Sequence, residues 1–194
     1  MTDYTVTEIS HLLCEADGLT DREDVKVTHE RVRHLAKRGF LRGGKEIDDR
    51  GTKVFPETEV FHAAVLCDLL SIDMGAPILR KVTEAAQAMP LLDVNQWAPS
   101  QRGDGVRRSS GGLQDAIRGA SAGERWGLTI RQEQPGRSVP AQVHAAFGWL
   151  DAPGGNGDDV AAILGWKPNR LRVVLEMTEL FTAISERLKV EGMN

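Results

Sequence analysis

"VTHERVRHLAKRGFL", residues 27–41, carries Val32, Leu35 and Ala36 at helical spacing, six basic side chains counting His29 and His34, and a closing Gly39. The apolar residues recur with the period of one helix face. Arg31, Arg33, His34, Lys37 and Arg38 fall to the outside or the flanks, and after Glu30 no acid appears before Glu46. A solvated helix face normally mixes signs. This one is nearly all positive, the pattern of a surface that meets something negative. Thr28 reads as the N-cap of the helix and Gly39 as its left-handed stop.

The surrounding chain qualifies that reading. Over 194 residues the net charge is -4, which taken alone argues against a nucleic-acid binder. The charge is segregated, however. Nine Lys/Arg stand between Lys26 and Lys53 against Glu30, Glu46, Asp48 and Asp49, whereas the first 25 residues hold seven acids and Arg22 alone. A local patch is what sets an electrostatic footprint. Hydrophobic residues at 41% and charged residues at 27% describe a globular chain. No run approaches the roughly 18 apolar residues that span a bilayer, so no membrane association is expected. "MTDYTVTEIS" lacks the basic and apolar regions of a secretion signal, which points to the cytoplasm. Cys14 and Cys67 lie in apolar helical contexts and read as buried free thiols. There is no CxxC or Cys/His cluster, and no metal or cofactor is expected.

Periodicity places a first helix at about 7–16, capped by Thr7 and stopped by Gly18, and then a polar connection, "LTDREDVK" (19–26). After the basic helix, Phe40-Leu41 and Lys53-Val54-Phe55 read as two strands joined by "DDRGT" (48–52), a hairpin of the size of a wing that Pro56 ends. Helices from near Glu57 and over 78–89 are separated by "SIDMGAP" (71–77). Residues 90–112, with two prolines and four glycines, read as a linker or loop. Residues 113–120 suit a short helix. "WGLTIRQ" (126–132) and "VPAQVHAAF" (139–147) alternate as strands of a hairpin turned by "QPGR" (134–137), and "DAPGGNGDD" (151–159) breaks the chain again.

The last segment, 170–189, contains no Gly or Pro and has Asn169 as a cap. Leu171, Val174, Thr178, Phe181, Ser185 and Leu188 alternate at spacings of three and four, widened by Leu175 and Ile184. This is either a core helix or a seam between subunits. The expected fold is mainly α with small β-hairpins: an N-terminal winged helix-turn-helix, then an α+β region with a β-hairpin and a long C-terminal helix. The domains are 1–89, a linker at 90–112, and 113–194.

The order of elements over residues 4–89 resembles the winged helix-turn-helix of the MerR family. "YTVTEISHLL" is similar to the family's opening, and "VTHERVRHLAKRGFL" aligns without gaps to its recognition-helix motif. Arg33 falls on the motif arginine, Gly39-Phe40 on the Gly-Leu that follows, Lys53 and Phe55 on the wing arginine and tyrosine, and Gly75 on the glycine before the last helix. Two departures stand out: His34-Leu35 replaces the aromatic pair, and the connection between the first two helices is longer. The resemblance implies a DNA-binding domain and a homodimer joined through a long helix after it, for which 170–189 is the candidate.

The expected function is therefore a dimeric, sequence-specific DNA-binding transcriptional regulator acting on double-stranded DNA, and not an enzyme. Thr28, His29, Arg31, Arg33 and His34 would enter the major groove. Lys37, Arg38, Arg42, Lys45, Arg50 and Lys53 would mostly hold phosphates, which supply affinity and register without reading sequence. Leu171, Val174, Leu175, Thr178, Phe181 and Leu188 would form the dimer seam. A bland reading stands beside each of these: a single basic residue is ordinarily a solvated charge. His11, His62 and His144 read as structural. Trp97, Trp126, Trp149 and Trp166 read as core or interface, with an aromatic pocket for a small-molecule effector as the alternative. "RGDGVRRSSGG" (102–112) lacks the Lys-Ser/Thr ending of a phosphate loop. Two other functions remain open. One is an architectural DNA factor or excisionase of a phage or mobile element. The other is a protein-interaction module that kept the fold.

Overall fold

A computed structural model describes residues 2–88, 98–103, 106–107, 111–133, 142–151 and 169–191. The chain is mixed α/β and divides into two units, Met1–Met74 with Leu180–Asn194, and Gly75–Glu179. Among the described residues no helix is long and apolar enough to cross a membrane.

The first unit opens with strand β1 (Asp3–Thr5), followed by helix α1 (Val6–Ala16). Thr5, not Thr7, is the cap. Its hydroxyl accepts from the Glu8 backbone N–H, and the Glu8 carboxylate accepts from the Thr5 backbone N–H at 2.7 Å, a reciprocal capping box. Gly18 ends α1 at φ +67, as its position suggested.

Helix α2 spans Arg22–Lys37, capped by Asp21, whose carboxylate accepts from the Glu23 backbone N–H at 2.7 Å. This corrects the boundary read from the sequence. Thr28 is not a cap but a buried interior residue, and only residues 17–21 connect α1 to α2. The physical reason is that residues 22–27 hold no Gly or Pro and that Val25 adds a turn to the stripe of Val32 and Leu35. The C-terminus behaves as expected. Gly39 takes φ +74, the Gly39 N–H bonds to the Ala36 carbonyl, and the Phe40 N–H bonds to the Leu35 carbonyl, a Schellman ending.

The wing-sized element is a three-stranded antiparallel sheet in the order β1, β3, β2, with β2 at Lys45–Glu46 and β3 at Lys53–Pro56. Tyr4 pairs with Phe55, and Lys45 with Val54. Phe40 and Leu41 form no strand. They are buried core residues, so their apolar character reflects burial rather than pairing. The turn is organised by Asp48, whose carboxylate accepts from the backbone N–H groups of Arg50 and Thr52 and from the Thr52 hydroxyl. These bonds hold the Asp48 carboxyl below its usual range.

Helix α3 (Thr58–Ser71) is buried continuously from Glu59 to Cys67. Glu59 accepts from the Arg42 backbone N–H at 3.0 Å and meets His62 Nδ1 at 3.0 Å, tying the segment after α2 to α3. His62 is thus buried in the core of the unit and held by Glu59. The unit's core joins Ile9, Leu12, Val32, Leu35, Phe55, Val60, Phe61 and Leu66 to Phe181, Ile184 and Leu188. Cys14 and Cys67 are buried free thiols, and burial pushes the Cys67 thiol up to about 12.

In the second unit, helices α4 (Ala76–Gln87) and α5 (Gly112–Ser121) pack on a three-stranded antiparallel sheet. Between the helices, a 3-10 turn at Pro99–Gln101 precedes strands β4 (Arg102–Gly103) and β5 (Val106–Arg107). Strands β6 (Trp126–Glu133) and β7 (Gln142–Trp149) form the expected hairpin, with Trp126 opposite Trp149 and Ile130 opposite Ala145. Trp126, Leu128 and Ile130 are buried, but so are Gly127, Thr129 and Arg131 between them, so β6 is covered on both faces and not on the one that the alternation implied. The QPGR turn, the DAPGGNGDD break after Asp151, Trp97 and Trp166 lie outside the described residues. The expected linker is folded at Ala98–Gln101: Gln101 Oε1 accepts from the Ala98 N–H, and its amide donates to buried Asp115 at 2.9 Å. Arg125 donates to both Glu176 oxygens at 3.0 Å and to Asp151 at 3.1 Å, which holds the Glu176 carboxyl below its usual range.

The long C-terminal helix is overturned. Asn169–Glu176 is strand β8, paired antiparallel with β6, and helix α6 covers only Thr178–Glu191. Leu128 pairs with Leu175, and Ile130 with Val173. The run "RLRVVLE" carries a period of two as readily as a period of three to four, and the vacant side of β6 decides for the strand.

Candidate nucleic-acid interface

At 100° per residue, the exposed side chains of α2 sort into lines along the helix. Arg22, Lys26, His29, Arg33 and Lys37 follow spacings of four, three, four and four, so they form one line. All are exposed except His29, which is half-buried. The line runs for about 22 Å. It borders an open cleft of about 810 Å³ between α1 and α2, lined among others by Ser10, His11, Arg22, Lys26 and His29.

Residues expected at the interface take different places. Thr28 is buried at 9% exposure, so it does not face outward. Arg31 is half-buried and lies in the field of Asp68. Burial, with Asp17 adding and Arg31 opposing, pushes the Asp68 carboxyl up to about 6. Arg33 is exposed and donates to Glu30 at 2.6 Å. His34, Lys37 and Arg38 are exposed on the last turn. Arg22 and Lys26 were missed because the helix was started too late. Their signal was Asp21, an N-cap residue at the right distance from the stripe.

The sheet is electrostatically milder. Lys45 lies 3.8 Å from Asp3, and Lys53 3.8 Å from Glu46 across the β2–β3 pair. Arg42 and Arg50 are exposed, Arg50 within the Asp48 turn. The N-terminal turn of α2 carries Asp21, Glu23 and Asp24, which repel phosphate. Positive charge is therefore concentrated on the C-terminal half of α2, not on its first turn or on the sheet.

The seam residues are dispersed. Leu171, Val174 and Leu175 belong to strand β8, and Thr178 starts α6, accepting from the Trp126 N–H. Phe181 and Leu188 are buried in the chain's own core. The stripe of α6 is spent inside one molecule.

No family model matches the chain, and no curated protein does.

Proposed function

We propose that this chain binds double-stranded DNA and acts as a sequence-specific transcriptional regulator through the outer face of α2. The observation that carries this reading is the line of Lys26, His29, Arg33 and Lys37 along one face of the helix beyond its acidic first turn. A helix fits the major groove, which is about 12 Å wide. Because the first turn is acidic, the approach is through the middle and C-terminal half of α2. Arg33 leaves Glu30 to reach a guanine edge or a phosphate. An exposed ion pair of this kind is worth only about 0.2–1 kcal/mol, so the exchange is cheap. Lys37 and Arg38 hold phosphates, and the sheet cations contribute less because acids stand beside them. The same surface would serve an architectural factor, which separates from a regulator by bending DNA at repeated sites.

The test is selection from fragmented genomic DNA at about 150 mM salt, where weak charge-only contacts fade, followed by anisotropy on the recovered sequence. A single recurring motif bound with a steep salt slope supports the reading. Equal affinity for all fragments, or none, overturns it and leaves an acidic protein as the partner of α2.

A further inference from the structure

Strand β7 is an edge. Its sheet runs in the order β7, β6, β8, so β6 pairs with one side of it, and among the described residues no strand pairs with the other. Such an edge presents a row of backbone N–H and C=O groups, and proteins ordinarily blunt it with charged residues, proline or a bulge. The sequence of β7, "QVHAAFGW" (142–149), holds no Lys, Arg, Asp, Glu or Pro, and its pairing with β6 runs without a register shift. The opposite edge differs. Strand β8, "NRLRVVLE" (169–176), carries Arg170, Arg172 and Glu176, and its pairing with β6 is broken by a shift between Gln132 and Glu133.

The free edge of β7 has a wall beside it. Helix α4 packs on β7 and leaves a cleft of about 540 Å³, bordered by Pro77, Lys81, Glu84, Ala85 and Ala88 on the helix side and by residues 142–145 on the strand side. Successive side chains of a strand point to opposite faces, so a cleft bordered by four consecutive strand residues follows the edge and not one face. Gln142 is exposed there and Val143, His144 and Ala145 are half-buried. Lys81 donates to Glu84 at 2.7 Å, so the helix wall carries no net charge.

We propose that this groove docks an extended peptide segment of another protein, which adds a fourth strand to the sheet along β7. The peptide backbone bonds the open row of β7, and its alternate side chains lie against the α4 wall. The neutral wall and the small side chains of Ala85, Ala88 and Ala145 select uncharged, apolar side chains at those positions. Four strand residues span about 13 Å, so the docked core is about four or five residues long. A second copy of this chain would bring its own β6 and α4 along with β7, whereas a single extended strand needs only the space between an edge and a helix.

Selection from a phage-displayed library of random octapeptides on the full chain, with no nucleic acid present, tests this independently of DNA binding. A recovered peptide, synthesised with a fluorescent label, is then titrated by anisotropy. Ala88 is exposed, and Ala88→Arg, with folding checked by circular dichroism, is expected to fill the groove and raise the peptide Kd about tenfold or more. Val174→Asp, at a 44% exposed position on the opposite edge strand, is expected to leave the Kd unchanged. N-methylation of alternate peptide amides is expected to weaken binding about tenfold in one register and little in the other, because only one side of the peptide bonds β7. Recovery of no binding peptide overturns the proposal. So does a peptide indifferent to Ala88→Arg, one weakened as much by Val174→Asp, or one insensitive to N-methylation in both registers. Self-association of the chain that Ala88→Arg abolishes also overturns it and makes a second copy the occupant.

Discussion

The ring of Phe181 meets Phe61 at a centroid distance of 5.4 Å and an interplanar angle of 89°, an edge-to-face contact that fixes α6 on α3. Both rings are at most 2% exposed. A residue read as a candidate for contact between subunits is therefore an anchor within one.

Phe181→Ala is expected to destabilise the chain by about 3–5 kcal/mol, the range for a buried aromatic truncated in a close-packed core. Urea denaturation at several protein concentrations measures this. A loss that depends on concentration, rather than a constant one, would restore Phe181 to an intermolecular role.

Arg33→Ala is expected to weaken specific DNA binding by about 1–3 kcal/mol, while leaving folding within a few tenths of a kcal/mol because only the exposed pair with Glu30 is lost. Glu30→Gln is expected to strengthen binding at low salt, since it frees Arg33 and removes a charge that repels phosphate. Anisotropy titrations of both variants on one duplex decide the matter. Unchanged affinity in Arg33→Ala would remove α2 from the interface.

Among the sheet cations, Lys45 and Lys53 face Asp3 and Glu46 at 3.8 Å, whereas Lys37 sits on the positive end of α2. Lys37→Ala is therefore expected to reduce the salt slope by about one unit and the sheet variants by less. The slope of log K against log salt for each variant is the measurement.

Asp68 carries a pH signature. Its carboxyl is raised in the folded chain to about 6 from 3.8, mainly by burial. A raised carboxyl favours the protonated folded state, so this contribution is present at low pH and is lost as pH rises from 3.8 through about 6. Asp68→Asn is expected to stabilise the chain near pH 7 by about 1 kcal/mol, once solvent screening of this partly exposed group is counted. The gain should vanish below the unfolded value. Denaturation midpoints from pH 3 to 8 provide the check, and a gain that grows at low pH would contradict the assignment.

Gly39→Ala forces a side chain into φ +74. No atom stands within 4 Å of the added carbon, so the cost is conformational, about 1–2 kcal/mol, with no clash. Thermal melts of the variant measure it.

Much of the first unit was legible in the chain. The α2 stripe, Gly18 and Gly39 as stops, and a helix starting near Glu57 all express local rules of period and backbone conformation, whereas the unbroken burial of that helix from Glu59 to Cys67 goes beyond the one apolar side read from its period. The start of α2 was misread because a threonine six residues inside an uninterrupted helix looks like a cap until Asp21 is seen to bond Glu23. That misreading hid Arg22 and Lys26, and with them the length of the basic line. Strand β1 escaped notice because three residues carry no period of their own, and Phe55 has to be in place opposite Tyr4 before they form one.

By itself, the sequence determined where positive charge gathers, which residues want to be inside, and where helices must stop, because these follow from residues a few positions apart. Only the tertiary structure decided that 169–176 is a strand and that Phe181 faces inward. Leu171, Val173 and Leu175 satisfy a helix or a sheet equally until β6 offers an open edge, and an apolar stripe does not say whose core it fills until Phe61 stands against it.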